Sequence, residues 1–182
     1  IYSAEDSIIY DLVNDKVYLY GKGYMEYTDI KLNADYIELT FSTKTLFAKG
    51  MPDSSGVIIG KPVFKQGADE FHAETITYNF NTKKGKITKI TTQEGESYIK
   101  GEADKKQPDN TTFIKNGLYT TCNDEHPHYY IYSSKIKVIP DNKILTGPAN
   151  LVIADIPTPL VVPFGFFPNK KGRASGILFP AY

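Results

Sequence analysis

Hydrophobic residues alternate with polar ones along short segments of this chain, which is the pattern of β-strands that bury one face. The alternation recurs in copies of one motif: an Ile, an alternating strand, two small polar residues and a Lys. The spacing between copies is unequal, so the motif predicts separate β-hairpins rather than a regular solenoid. The copies occupy residues 9–16, 37–44, 76–83 and 136–143.

The apolar residues of three motifs change parity close to the start of the motif. Leu32 and Ala34 have one parity, whereas Ile37 and Leu39 have the other. A strand can keep such residues on one side of a sheet only through a bulge or a sharp bend. The pattern therefore predicts bulges or bends near residues 35–36, 74–75 and 134–135. We interpret the glycines of residues 21–23 as a further bulge or tight strand crossing.

The remaining pattern favours an all-β fold with almost no helix. No segment shows sustained helical spacing with a credible cap. Two antiparallel sheets folded over a shared apolar face are the expected architecture. The first motif is irregular because Asp11 occupies an apolar position, so Ile8 to Val13 is expected to be an edge strand. The charged segment at residues 104–110 is expected to be a loop or a disordered tip.

Composition narrows the classes of partner. The 182 residues carry 21 acidic and 21 basic side chains, so the net charge is zero and strong charge-driven binding of nucleic acid is not expected. The sequence contains no run of about 18 apolar residues, the length that spans a bilayer as a helix. Cys122 is the only cysteine, so it is either free or paired with a cysteine outside this sequence.

Two groups of side chains have the composition of a chemical site. Cys122, His126 and His128 could hold zinc, but a structural site needs a fourth ligand, so a polar turn is the favoured interpretation and no metal is expected. Glu94 and Glu96 would lie on one face of a strand, as a glycosidase pair does. A solvated charged face is the favoured interpretation of that pair, and the sequence predicts no catalytic residue.

Three segments in the last third of the chain share their pattern with a known family. The first is Tyr119-Thr120-Thr121-Cys122, followed by the aromatic run at residues 129–132. The second, residues 150–164, has an apolar strand and a proline-rich continuation, and the third is the run of residues 167–180. In these segments the chain resembles the LptD (OstA) family of outer-membrane lipopolysaccharide assembly proteins. The hairpins upstream resemble the OstA-type β-jelly roll in pattern.

The resemblance implies a fold and a domain organisation. Residues 1–155 would form a periplasmic OstA-type β-jelly roll, with two sheets arranged as a V. Residues 156–182 would form a proline-rich connection and the first strand of a transmembrane β-barrel beyond Tyr182. Pro168 and Pro180 would flank that strand and weaken pairing at a seam of the barrel, since proline donates no ladder hydrogen bond. Alternatively, Pro168 simply ends a loop.

The resemblance also implies a function without catalysis or cofactors, the transport and assembly of lipopolysaccharide at the outer membrane. The domain would receive lipopolysaccharide from a periplasmic bridge protein of similar β-fold, which pairs with an edge strand. It would guide the acyl chains to the barrel, which would also hold a plug lipoprotein similar to LptE. Cys122 would form a disulfide with a partner outside this sequence.

The apolar faces of the motifs are the predicted lipid-binding trough. If the sheets stand apart, these faces suit acyl chains. If the sheets close, the same residues pack as an ordinary core, which periodicity alone favours. The alternative function is that of a carbohydrate-binding jelly roll, because the chain has 14 tyrosines. The trough residues are Ile37, Leu39, Phe41, Ile76, Tyr78, Phe80, Ile136 and Val138.

Overall fold

The computed structural model describes residues 1–67, 69–94, 97–124, 126–139 and 142–168, and all regular secondary structure within these ranges is β-strand. The prediction of an all-β fold is confirmed. In chain order the strands are β1 (Tyr2–Ser3), β2 (Ser7–Asp11), β3 (Lys16–Tyr27), β4 (Ile30–Thr40), β5 (Thr45–Lys49), β6 (Met51–Pro52), β7 (Ile58–Ile59), β8 (Val63–Gln66), β9 (Asp69–His72), β10 (Thr75–Asn79), β11 (Lys84–Glu94), β12 (Ser97–Lys106), β13 (Thr112–Thr120), β14 (Tyr129–Ile139), β15 (Lys143–Thr146), β16 (Ala149–Ile153), β17 (Ile156–Val162) and β18 (Gly165–Pro168).

The strands form two antiparallel layers that share their longest members. Strands β3, β4 and β11 to β14 bend part-way and contribute one half to each layer. Layer A has the order β2-β3-β4-β5-β10-β11-β12-β13-β14-β15-β18. Layer B has the order β1-β3-β4-β8-β9-β11-β12-β13-β14-β16-β17. This is the two-layer, jelly-roll type of architecture that the hairpin pattern predicts.

The line along which these strands bend, here called the crease, coincides with the parity changes in the sequence. In β4 the buried positions pass from Leu32 and Ala34 to Ile37. The register shifts at this point, so that Gly21 and Lys22 of β3, with φ of 71° and 44°, lie opposite one residue of β4. The predicted bulge is confirmed, and its extra residue belongs to the partner strand β3.

The same line continues across the other shared strands. In β14, Ser133 and Ile136 are buried while the two residues between them are exposed, which confirms the predicted bend. Lys89 in β11 and Asn116 in β13 have φ of 48° and 50°. At residues 73–74 the chain bends by ending β9 and starting β10. Left-handed backbone therefore marks the crease in β3, β11 and β13.

Two predicted boundaries are wrong. Strand β12 continues to Lys106, which pairs with Thr112, so the loop predicted at residues 104–110 covers only the residues after Lys106. The Lys106 side chain is buried between aromatic rings, and this packing extends the strand. The predicted edge strand ends at Asp11 rather than Val13, because the Asp11 carboxylate accepts hydrogen bonds from the N–H groups of Val13 and Asn14 and closes a turn.

The facing surfaces of the layers form one hydrophobic core. Its side chains come from every shared strand and from the shorter strands between them. The lateral edges are β2 and β1 at one end and β18 and β17 at the other, each paired with one described strand. The confirmed edge position of β2 leaves its outer backbone groups available to another strand. The fully buried side chains include Leu19, Leu32, Ile37, Leu46, Ile76, Ile90 and Ile99.

We predict that Gly60→Ala destabilises the fold more than Gly67→Ala. Both glycines have a left-handed φ, 57° and 60°, so each alanine carries a similar backbone cost of about 1–2 kcal/mol. A Cβ at Gly60 would lie 1.9 Å from Cγ of Asp35, whereas a Cβ at Gly67 meets no described atom within 4 Å. Asp35 accepts a hydrogen bond from Lys22 at the crease, 3.2 Å away.

Urea unfolding should therefore give a loss of roughly 2–4 kcal/mol for Gly60→Ala and about 1–2 kcal/mol for Gly67→Ala. Equal losses would mean that the contact between the Gly60 turn and Asp35 does not support the crease.

Candidate functional site

The layers are joined at the crease and end on the opposite side in two rows of turns. We call the space between these rows the mouth. Side chains of the two layers meet across it: the rings of Tyr27 (layer B) and Phe80 (layer A) have centroids 5.1 Å apart, edge to face. The ring centroids of Phe64 in layer B and Tyr78 in layer A are 6.0 Å apart. Aromatic contacts thus close the mouth over the central strands.

A second contact closes the mouth towards the C-terminal strands. Tyr119 of β13 and Phe167 of β18 stack with centroids 5.2 Å apart and an interplanar angle of 18°. The hydroxyl groups of Tyr119 and Ser97 are 2.8 Å apart, within hydrogen-bonding distance. The two layers are therefore in contact along the mouth as well as at the crease.

A cavity of about 270 Å³ opens within the mouth. Its walls come from both rows of turns, with the turn around Asp29 on layer B and Phe80, Lys83 and Asn110 on layer A. This volume is slightly below the usual range of small-molecule pockets, roughly 300–1,000 Å³. The cavity is therefore suited to part of a larger ligand.

The electrostatics of the mouth combine a carboxylate and an ammonium group with aromatic walls. The Gln66 side-chain amide donates a hydrogen bond to Asp29, 2.9 Å away, and lowers the pKa of Asp29. Burial raises the pKa of the Tyr78 phenol, and the nearby Asp29 carboxylate adds to this effect. Lys106 is 3% exposed, and its Nζ lies 4.9 Å from the centre of the Phe71 ring. Apolar and charged groups thus lie side by side, as an amphiphile requires.

The structure places most of the predicted trough residues inside the core. Phe80 is half-buried at the mouth, and Phe41 is 49% exposed in a neighbouring turn. In this closed arrangement, the space predicted for lipid is filled by the protein's own side chains. The role of these residues in lipid binding stays a prediction. The buried members are Ile37, Leu39, Ile76, Tyr78, Ile136 and Val138.

The loop between β13 and β14 brings together a group that the sequence pattern did not predict. Side-chain ligand atoms of Cys122, Asp124 and His128 all lie within 4.8 Å of one another. His126, which the sequence placed with Cys122 and His128, is outside this group and exposed. Asp124 carries no signal in the sequence that separates it from the other exposed carboxylates, whereas a thiol close to two imidazoles stands out. The disulfide predicted for Cys122 stays a prediction, since this chain has no second cysteine.

The other candidate residues lie at the margins of the described chain. Pro168 is the last residue of the edge strand β18 and is the Cα partner of Lys143. Pro180 and Glu96 lie outside the described residues, and Glu94 is the last residue of β11. Within the ranges that the structure describes, no helix has the length and apolar character needed to cross a bilayer.

Comparison with known proteins supports the resemblance noted in the sequence. Residues 144–182 match the family model of the LptD protein. A curated protein of Hahella chejuensis (strain KCTC 2396), the LPS-assembly protein LptD, is 26% identical to this chain over 156 residues, which is 82% of the chain. The resemblance of this chain to the LptD family is thus confirmed. The chain spans 18% of the length of that LptD relative. The match to the family model includes β16 to β18 and therefore two edges of the fold.

We predict that Tyr27 and Phe80 are energetically coupled. In a double-mutant cycle with alanine at both positions, the edge-to-face contact should give a coupling energy of about 0.5–1.5 kcal/mol. Tyr27 with Phe113 is the matched control, because Phe113 is exposed on the outer face of layer A. The control pair should be additive within about 0.5 kcal/mol in urea unfolding. Additivity of Tyr27 with Phe80 would contradict a closed mouth.

Proposed function

We propose that this chain acts in lipopolysaccharide assembly at the outer membrane, as a non-enzymatic periplasmic domain that guides the acyl chains between its two layers. The similarity of this chain to LptD proteins supports this role. The observation that carries the proposal is the unequal joining of the layers. At the crease, the layers are joined by the backbone of six strands that belong to both. At the mouth, the contacts described above join the layers through aromatic side chains.

The free energies of the closed mouth and of a mouth opened by lipid are similar enough to allow lipid entry. An aromatic pair contributes about 0.5–1.5 kcal/mol beyond the area it buries. Transfer of each acyl methylene group out of water is favourable by about 0.8 kcal/mol of free energy. A few methylene groups of one acyl chain can therefore offset the loss of the contact between Tyr27 and Phe80. Separation of the layers would then extend the cavity inward to Tyr78 and the buried trough residues.

The charges at the mouth favour one orientation of an amphiphile. Lys83 lines the layer A wall of the cavity at the rim, where an anionic phosphate of a lipid headgroup would remain in contact with water. On the opposite wall, Gln66 donates a hydrogen bond to Asp29. We propose that the acyl chains point towards the core and the headgroup stays outside, beside Lys83.

The edges of the sheet supply the proposed contacts with neighbouring proteins. Strand β2 carries exposed apolar residues, including Ile9, 49% exposed, and Tyr10, 57% exposed. We propose that a periplasmic bridge protein of similar β-fold adds a strand to this edge. At the opposite end, β18 leads into residues 169–182, for which we propose a barrel strand with Pro168 and Pro180 at its seam. A plug lipoprotein would bind the barrel.

A carbohydrate-binding module remains the alternative function, and one surface bears on it. Tyr20 and Tyr36 lie on the outer face of layer A with ring centroids 5.3 Å apart, edge to face, and the Tyr36 hydroxyl donates to Glu38. Burial raises the pKa of Tyr36 above its usual range. These rings already pack against each other, so they provide a poorer stacking platform for a sugar than exposed rings would.

We predict that photo-crosslinking amino acids at Tyr27 and Phe80 capture lipopolysaccharide in cells that make the complete protein, because both side chains line the cavity. Thr77 is the matched control, since it is on β10, beside Tyr78, but is exposed on the outer face. Lipopolysaccharide adducts should form at the two mouth positions and not at Thr77. Equal labelling at Thr77, or glycan binding without adducts at either mouth position, would contradict the proposed function.

We predict that a crosslinker at Ile9 captures the bridge protein, because β2 is an edge strand with one described neighbour. The readout is a covalent adduct with a purified periplasmic bridge protein of β-jelly-roll fold. A crosslinker at Phe113 is the control, since that residue lies on β13 in the interior of the sheet order. Capture at Phe113 but not at Ile9 would exclude addition to the β2 edge.

A further inference from the structure

The loop between β13 and β14 holds three side chains of different ligand type close together. Sγ of Cys122 lies 3.3 Å from Oδ2 of Asp124 and 3.9 Å from Nδ1 of His128. The third side of this triangle, from Nδ1 of His128 to Oδ2 of Asp124, is 3.5 Å. One sulfur, one oxygen and one nitrogen atom thus face a common point.

These separations match the edges of a tetrahedral zinc site. Zinc binds sulfur at about 2.3 Å, imidazole nitrogen at about 2.0–2.1 Å and carboxylate oxygen at about 2.0–2.2 Å. At tetrahedral angles, these bond lengths place the ligand atoms roughly 3.4–3.6 Å apart. The three observed distances differ from those values by a few tenths of an ångström. An ion can therefore be accommodated at the centre with little movement of the side chains.

The backbone of the loop is held in place by contacts that do not involve the three ligand atoms. The buried Thr120 hydroxyl donates to the Tyr129 carbonyl, 2.7 Å away, and accepts from the Cys122 N–H at 3.0 Å. At the far end of the loop, the Ala154 N–H donates to the His128 carbonyl at 2.7 Å. Both ends of the loop are thus fixed, which lowers the entropy cost of binding an ion.

We propose that Cys122, Asp124 and His128 bind a Zn²⁺ ion, with water as the fourth ligand. Thiolate and imidazole ligands favour zinc over magnesium or calcium, which prefer oxygen alone. On binding, the sulfur coordinates as a thiolate and its proton passes to solvent. The Asp124 and His128 side chains are 63% and 80% exposed, so the fourth position is open to water and the ion exchanges readily.

The site has a defined relation to the disulfide predicted for Cys122. A sulfur atom that is oxidised to a disulfide is no longer a thiolate ligand, so zinc binds only to the reduced chain. The metal and the disulfide are therefore alternative states of one residue. The inference rests on the geometry of the loop and is independent of the proposed lipid role.

Cobalt provides a direct test, because Co²⁺ occupies zinc sites and reports its ligands by absorption. The 182-residue chain, with Cys122 reduced, is titrated with Co²⁺ and then with Zn²⁺. We expect the visible bands of tetrahedral Co²⁺ and a near-ultraviolet band from thiolate-to-cobalt charge transfer. Zinc should displace cobalt and remove both features. Cys122→Ser should abolish the charge-transfer band.

Two further variants and one control identify the remaining ligands. Asp124→Asn and His128→Gln should each weaken zinc binding by roughly 10–100-fold or more, since even outer ligand partners contribute that much. His126→Gln should bind as the unaltered chain does, because His126 lies in the same loop but outside the group. Circular dichroism checks that each variant remains folded.

Cobalt binding without the charge-transfer band, or absence of binding by either metal at millimolar concentration, would overturn the zinc site. Equal weakening by His126→Gln and His128→Gln would also overturn it, as would unchanged affinity in Asp124→Asn.

Discussion

Backbone pairing that continues around a bend is the constraint on which the rest of this structure depends. A long strand can serve two layers only if its buried side chains change parity where it bends. Here Ala34 and Ile37 flank that point in β4, and the left-handed residues Lys22 and Asn116 lie at the crease in β3 and β13. Because the shared strands bend along one line, the two layers meet as a folded sheet. Their apolar faces then enclose a single core.

Separation of the two layers therefore costs more free energy at the crease than at the mouth. At the crease, separation would require the breaking of ladders and of bulge contacts such as the hydrogen bond from Lys22 to Asp35. At the mouth, separation breaks ring contacts, including those of Tyr27 with Phe80 and Tyr119 with Phe167. These contacts are individually weak and can be replaced by any apolar group that reaches them. A ligand with flexible hydrocarbon chains meets that requirement.

Local pattern was sufficient to predict the all-β fold and the bends of β4 and β14, because parity is a property of neighbouring residues. It could not decide whether the trough stands open or closed, since this depends on contacts between residues far apart in sequence, such as Phe64 and Tyr78. The same limit explains the loop predicted at residues 104–110, where burial of Lys106 against another strand extends β12. Asp124 lies beside Cys122 and His128 because of the conformation of their loop. Hydrophobic periodicity carries no information on the conformation of a loop.

The position of the Cys122 loop determines which layer a zinc ion or a disulfide at the Cys122 sulfur would constrain. The loop follows the strand whose Tyr119 stacks on Phe167, so it lies at the mouth. Its described anchors, including the carbonyl of Tyr129 and the N–H of Ala154, all belong to layer B. A zinc ion would therefore tighten layer B internally without joining it to layer A. A disulfide to an external cysteine would instead attach layer B to another segment. Because the three zinc ligands belong to one loop, a zinc ion would not bridge the mouth, and it is compatible with the separation of the layers that we propose for lipid entry.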